Sequence, residues 1–175
     1  AARSSDAILA CSITASHNPA SDNGIKFFEG SGVKPSEDLE QALDDAIGQV
    51  SADGLGENGA PAIECGAALR EQYKEAIVAA FPLGLMAGKR VALDCANGAM
   101  SEIAPVVFRE LGAIVDVLGN EPDGTNINDG VGSECPESLG SLYKSGEYDY
   151  GFAFDGDGDR LVMFDEAGTK ISGEA

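Results

Sequence analysis

Between residues 90 and 154 the chain repeats one pattern, an apolar run followed by an amphipathic stretch and then another apolar run. Strand signals at 90–94, 113–118 and 148–154 alternate with helical spacing at 101–111 and 137–145. Such a β-α-β-α-β order leaves few folds open, because neighbouring parallel strands need a crossover long enough to carry the chain back, and a helix packed on the sheet supplies it. The expectation is an α/β fold, a mainly parallel sheet with helices on both faces. Ligands of such sheets bind beyond the carboxyl ends of the strands. Asp94 with its following loop, the loop at 122–132 and an acidic run after residue 154 all emerge at that end.

The acidic run is Asp155-Gly156-Asp157-Gly158-Asp159-Arg160. It sets three carboxylates at alternate positions, with glycines between them that let the end of a strand curl until the side chains converge. Hard oxygen donors suit Mg²⁺ or Ca²⁺, and three negative charges this close repel one another unless a cation sits among them. Asp155, Asp157 and Asp159 are therefore candidate metal ligands. Two other readings stand beside this one. A solvated acidic turn is the plainer. A twelve-residue calcium loop is the sharper, since Glu166 falls where its final bidentate ligand belongs. Against the calcium loop, Arg160 occupies the position that needs glycine, and the flanks read as strands instead of helices.

Near the start, an apolar strand at 7–13 runs into Thr14-Ala15-Ser16-His17-Asn18-Pro19. Pro19 biases Asn18 toward an extended conformation, which predicts a tight exposed loop with Ser16 at its tip. His17 is the chain's single histidine. Adjacent residues seldom point the same way, and no G-x-S-x-G elbow is present, so Ser16 and His17 do not read as a hydrolase pair. Taken alone, this loop reads as a surface turn.

Together the two stretches resemble the active site of the alpha-D-phosphohexomutases. The resemblance is carried by Thr14 through Pro19, Asp22-Asn23-Gly24-Ile25-Lys26-Phe27-Phe28, Asp94-Cys95-Ala96-Asn97-Gly98-Ala99, Asn126-Ile127-Asn128 with Gly132-Ser133, and Ala153-Phe154-Asp155 through Arg160, in family order over nearly the whole chain. The segments around Lys26 and Cys95 favour the glucosamine branch; branches acting on mannose or glucose phosphates are the alternative. The resemblance implies that Ser16 carries a phosphoryl group and that Mg²⁺ is held by Asp155, Asp157 and Asp159 with a phosphoserine oxygen. It further implies that His17 and Lys26 assist proton transfer, that Arg160 lies close to the phosphoryl group, and that the partner is a small-molecule sugar phosphate. In family terms residues 1–62 match the C-terminal part of the first domain and residues 63–175 the second, with the third and fourth absent. Ser172-Gly173-Glu174 stands where the family tends to show Asp-Gly-Asp. A fragment without turnover of its own is the expectation.

Composition narrows the partners. With 30 acidic against 11 basic residues, the formal charge of −19 argues against nucleic acid or an anionic membrane. A sugar phosphate is also an anion, so local positive charge must override the global field, and Mg²⁺ with Lys26 and Arg160 would supply it. Cys11, Cys65, Cys95 and Cys135 form no C-x-x-C pair and read as free, mostly buried thiols of a reducing, cytoplasmic compartment. No stretch approaches the length of a membrane span. Helical spacing also predicts helices over 39–50, with Ser36 as N-cap, and over 69–81, while the glycine-rich stretch 51–62 reads as the border between domains. A hairpin over 161–171 closes the chain.

Overall fold

A computed structural model describes Arg3, residues 7–49 and residues 66–171. The predicted border at 51–62, Cys65 and the Ser172-Gly173-Glu174 segment lie outside the described residues. The chain divides into two compact units, one of Ala1–Ser12 with Lys26–Gln72 and one of Ile13–Ile25 with Tyr73–Ala175.

In the first unit, strands β1 (Leu9–Ile13) and β2 (Ile25–Glu29) form a two-stranded sheet. Helix α1 (Glu37–Gly48) begins where Ser36, in extended conformation, accepts a hydrogen bond from the Leu39 amide at 3.4 Å, and Glu37, Asp38 and Glu40 place negative charge at the positive end of the helix dipole. The predicted cap is therefore present. The apolar stripe of α1 is only lightly covered: Leu43 is half-buried, Leu39 and Ile47 are exposed, and none of the helix's residues is buried. Helix α2 (Ala67–Ala79) runs from the first unit into the second.

The second unit is built on a five-stranded sheet. Its central strand β3 (Arg90–Asp94) pairs in parallel with β4 (Ile114–Leu118) on one side and β5 (Tyr150–Phe154) on the other. Beyond β5, strands β6 (Leu161–Phe164) and β7 (Lys170–Ile171) continue the sheet in antiparallel pairing. The parallel core and the closing hairpin follow the sequence pattern. The sheet as a whole is mixed, because the connection 155–160 is too short for a crossover and must turn the chain straight back.

Alternation along β3 explains how both faces are filled. Val91, Leu93 and Cys95 pack on Ala104 and Phe108 of helix α3 (Met100–Glu110), whereas Ala92 faces Leu139, Tyr148, Ala153 and Phe164. A strand buried on both sides reads as the continuous apolar run found in the sequence. Lys74 of α2 pairs with Glu110 of α3 at 2.9 Å.

The structure departs from expectation in two details. The helix expected over 137–145 is a 3-10 turn, Pro136–Leu139, followed by the short helix α4 (Gly140–Ser145), because glycine at the junction weakens a continuous helix. Of the described cysteines, Cys95 alone is buried; Cys135 is half-buried and Cys11 exposed. Cys11 sits on a two-stranded sheet that cannot bury it as a five-stranded one buries Cys95. No helix among the described residues is long and apolar enough to cross a membrane.

Candidate active site

The site is assembled at the carboxyl ends of β3 and β5, and its foundation is a buried carboxylate. Asp94 ends β3 fully enclosed, a position that is costly for a charge unless donors surround it. Its Oδ1 accepts from the Ala96 amide at 3.0 Å, and its Oδ2 accepts from the Gly132 amide at 2.8 Å and from the Ser138 hydroxyl. One side chain thus ties the loop after β3 to the loop before the 3-10 turn and to that turn. Ala96, Asn97 and Asn128 all adopt left-handed backbone conformations, and the Asn128 amide donates to the Ala96 carbonyl at 2.9 Å.

The aspartate loop follows β5. Asp155 Oδ1 accepts from the Arg160 amide at 3.1 Å, so the loop closes on itself. Asp155, Asp157 and Asp159 each offer a carboxylate oxygen within 4.8 Å of the others, and burial falls from Asp155 through Asp157 to Asp159, so the cluster opens toward solvent. The donor set, three hard oxygens converging on one point, fits a hard divalent cation. Glu166 is not part of this group; it lines a different cavity with Arg90, Tyr148 and Asp149. The strands β5 and β6 flank the loop, and the calcium-loop reading fails on both counts.

The serine loop belongs to the same compact unit. Its base is closed by the Thr14 amide donating to the Gly24 carbonyl at 2.9 Å. Ser16 has a φ of 56°, and its amide donates to Thr14 Oγ1 at 2.9 Å. The Ser16 hydroxyl lies 3.1 Å from Asp155 Oδ2 and 3.2 Å from Asp157 Oδ1, while Thr14 Oγ1 donates to Asp157 Oδ2 at 3.3 Å. Asn128 Nδ2 donates to the carbonyls of Ser16 at 2.9 Å and Asn18 at 3.0 Å.

Arg160 spans the edge of the site. Its guanidinium donates to Glu134 Oε1 at 3.3 Å and to His17 Nδ1, and its Nε stands 3.8 Å from Asp155 Oδ2. A cavity of about 410 Å³ opens beside Arg160, lined also by Ser133, Glu134 and Lys170. Lys26 stands in β2, in the first unit.

The structure therefore brings Ser16, His17, Arg160 and the three aspartates together. Thr14, Asp94 and Asn128 were missed by motif reasoning as supports of the site. An Asp at the end of a strand buried on both faces was the one available signal for Asp94. Cys95, beside Asp94, is no nucleophile: burial, with the Asp94 charge adding to it, pushes its thiol up to about 12.

The α/β domain thus carries a serine loop folded onto a cluster of three carboxylates, a set of hard oxygen donors. The chain belongs to the phosphoglucomutase/phosphomannomutase family, whose alpha/beta/alpha domain II model matches residues 71–168 and whose alpha/beta/alpha domain I model matches residues 1–54. It is 48% identical to a phosphoglucosamine mutase of Aeromonas salmonicida over 93% of its length. A phosphoglucomutase/phosphomannomutase family protein of Burkholderia thailandensis, 30% identical, superposes with a TM-score of 0.69 over 93% of this chain and 34% of that one. An Aspergillus fumigatus N-acetylphosphoglucosamine mutase, solved in complex with GlcNAc-6P and magnesium, shares the fold at 18% identity and a TM-score of 0.57, over 93% of this chain and 45% of that one. The chain spans 36% of the Aeromonas relative's length.

Proposed function

We propose that this chain supplies the phosphoserine loop and the metal loop of a phosphoglucosamine mutase, which interconverts glucosamine 6-phosphate and glucosamine 1-phosphate in the cytoplasm. Residues 1–62 then form the C-terminal part of domain I and residues 63–175 domain II. The observation that carries this reading is the Ser16 hydroxyl at 3.1 and 3.2 Å from two carboxylates of a three-aspartate cluster. A bare hydroxyl gains little from such a place. A phosphorylated one gains a site where a shared cation neutralises both groups.

In the proposed reaction Ser16 carries the phosphoryl group. The sugar hydroxyl attacks phosphorus, the bond from phosphorus to Ser16 Oγ breaks, and the hydroxyl proton passes by way of a base, for which His17 and Lys26 are the candidates, to the departing Ser16 Oγ. The bisphosphate sugar turns over in the site and returns its other phosphate to Ser16, so the phosphate count is unchanged after each cycle. Asp155, Asp157 and Asp159, with a phosphoserine oxygen, would hold Mg²⁺, which would neutralise charge on the transferring group. Arg160 adds positive charge at the rim and orients His17 through their hydrogen bond. Positioning of this kind accounts for most of the acceleration available to phosphoryl transfer.

The ligand is a small sugar phosphate, and neither nucleic acid nor membrane is expected to bind so acidic a chain. The 175-residue chain alone is expected to lack mutase turnover. Peptide mapping after incubation with a hexose 1,6-bisphosphate and Mg²⁺ tests the central claim. Phosphate on the peptide containing Ser16 supports it, and phosphate placed only elsewhere overturns it. Competition among glucosamine, glucose and mannose phosphates in the full-length enzyme decides the sugar.

A further inference from the structure

The serine loop holds its central residue in an unfavourable shape. A non-glycine residue at positive φ costs about 1–2 kcal/mol, and Ser16 sits at 56°. Something must hold it there. Thr14 supports Ser16 from within the loop. From outside, the side-chain amide of Asn128 spends both of its N–H bonds on the loop's backbone, one on the Ser16 carbonyl at 2.9 Å and one on the Asn18 carbonyl at 3.0 Å. A primary amide is the group that can donate twice in this way; a carboxylate of the same shape can only accept.

Asn128 is itself well fixed. Its backbone is left-handed, a conformation asparagine tolerates better than most residues, and its amide is bonded to Ala96. The same segment is held to the buried Asp94 through the Gly132 amide. A rigid path therefore runs from the end of the central strand through Asn128 to the backbone that carries Ser16. Space for the amide exists because residue 156 is glycine: a Cβ there would stand 2.8 Å from Asn128 Nδ2.

We propose that Asn128 is a positioning residue, whose side-chain amide holds the Ser16 backbone so that a phosphoryl group on that serine reaches the oxygen cluster of Asp155, Asp157 and Asp159. The inference rests on the phosphoserine reading above. Without the two bonds Ser16 relaxes toward negative φ, its side chain swings, and the phosphate no longer shares a cation with the aspartates.

The test is a Mn²⁺ titration of the 175-residue chain, prepared with serine or with phosphoserine at position 16, in the parent and in Asn128→Gly and Asn128→Asp. Glycine keeps the left-handed backbone without strain, and aspartate keeps the side-chain shape. In the parent, phosphoserine is expected to tighten Mn²⁺ binding. Both substitutions are expected to cut that gain by about tenfold or more while changing the affinity of the unphosphorylated chain less than about twofold. Without metal, the Asn18 amide, bonded to the Ala15 carbonyl, is expected to exchange its hydrogen faster in both. An undiminished phosphoserine gain in the two variants overturns the inference, as does unfolding of both, which would make Asn128 a folding determinant. No gain in the parent would instead remove the phosphoserine-metal reading itself.

Discussion

A Cβ on Gly156 would stand 2.5 Å from the backbone carbonyl oxygen of Ser16. The metal loop and the serine loop thus touch backbone to backbone, at a separation no other residue type at position 156 allows. The stack continues on the far side, where a Cβ on Gly98 would stand 2.2 Å from the Gly156 carbonyl oxygen and the Ala99 amide donates to that same oxygen at 2.9 Å.

Gly156→Ala is accordingly expected to push the serine loop off the aspartates. Overpacking of this kind costs about 1–3 kcal/mol, and thermal unfolding will show it as a lowered Tm. Divalent metal binding should weaken in the same variant. A Tm and a metal affinity equal to the parent's would contradict the close approach.

Three carboxylates within 4.8 Å of one another make the unfilled cluster a source of repulsion. Added Mg²⁺ is expected to raise the Tm and a chelator to lower it, by an amount equivalent to about 2.7 kcal/mol at a hundredfold excess over Kd. Asp157→Asn relieves repulsion and removes a ligand, so it should raise the Tm of the metal-free chain and abolish most of the Mg²⁺ response. Calorimetric scans with and without metal check both halves.

At alkaline pH the buried Cys95 thiol governs part of the stability. Burial, assisted by the neighbouring Asp94 charge, moves it from 9.0 to about 12. Burial likewise moves the Tyr143 phenol from 10.0 to about 12, with the charge of Asp165 adding to it. Folding favours the neutral form of each, so their contribution is complete below the unfolded values and is lost as pH rises through the folded ones. Stability is expected to fall between pH 9 and about 12, less steeply in Cys95→Ala. Below that range a thiol reagent should label the exposed Cys11 and spare Cys95 in the folded chain.

Ser133 offers a stabilising change. Its hydroxyl is buried and has no hydrogen-bond partner among the described residues, although its backbone amide donates to the Phe154 carbonyl at 2.8 Å. Removing an unsatisfied buried hydroxyl removes a desolvation cost of about 1–3 kcal/mol. Ser133→Ala should therefore match or exceed the parent in denaturant midpoint; a clear loss of stability would show that the hydroxyl is satisfied after all.

Much of the second unit was legible because its signals are local. The apolar run of β3 announced a strand and the spacing after Met100 a helix; in the first unit, Ser36 with its acidic successors announced the start of α1. The alternating aspartates announced converging oxygens, because a two-residue period sends every second side chain the same way. Position 140 was harder. A helical pattern over 137–145 conceals that a glycine in its middle allows a 3-10 turn to hand over to a separate short helix.

The meeting of Ser16 with Asp155 belongs to another order of information. The two stand 139 positions apart, and nothing in either neighbourhood names the other; the family resemblance linked them, and the fold lays the serine loop on the loop that follows β5. Asn128, Asp94 and Gly98 matter through backbone groups contributed by distant loops, and a hydrogen bond to a carbonyl leaves no trace in the identity of the residue that owns it. Local periodicity and residue chemistry were enough for the elements and the kind of ligand, since both depend on neighbours in the chain. Which loops converge, and which amide holds the serine in place, followed from packing across the sheet, where the partners are brought together by the fold.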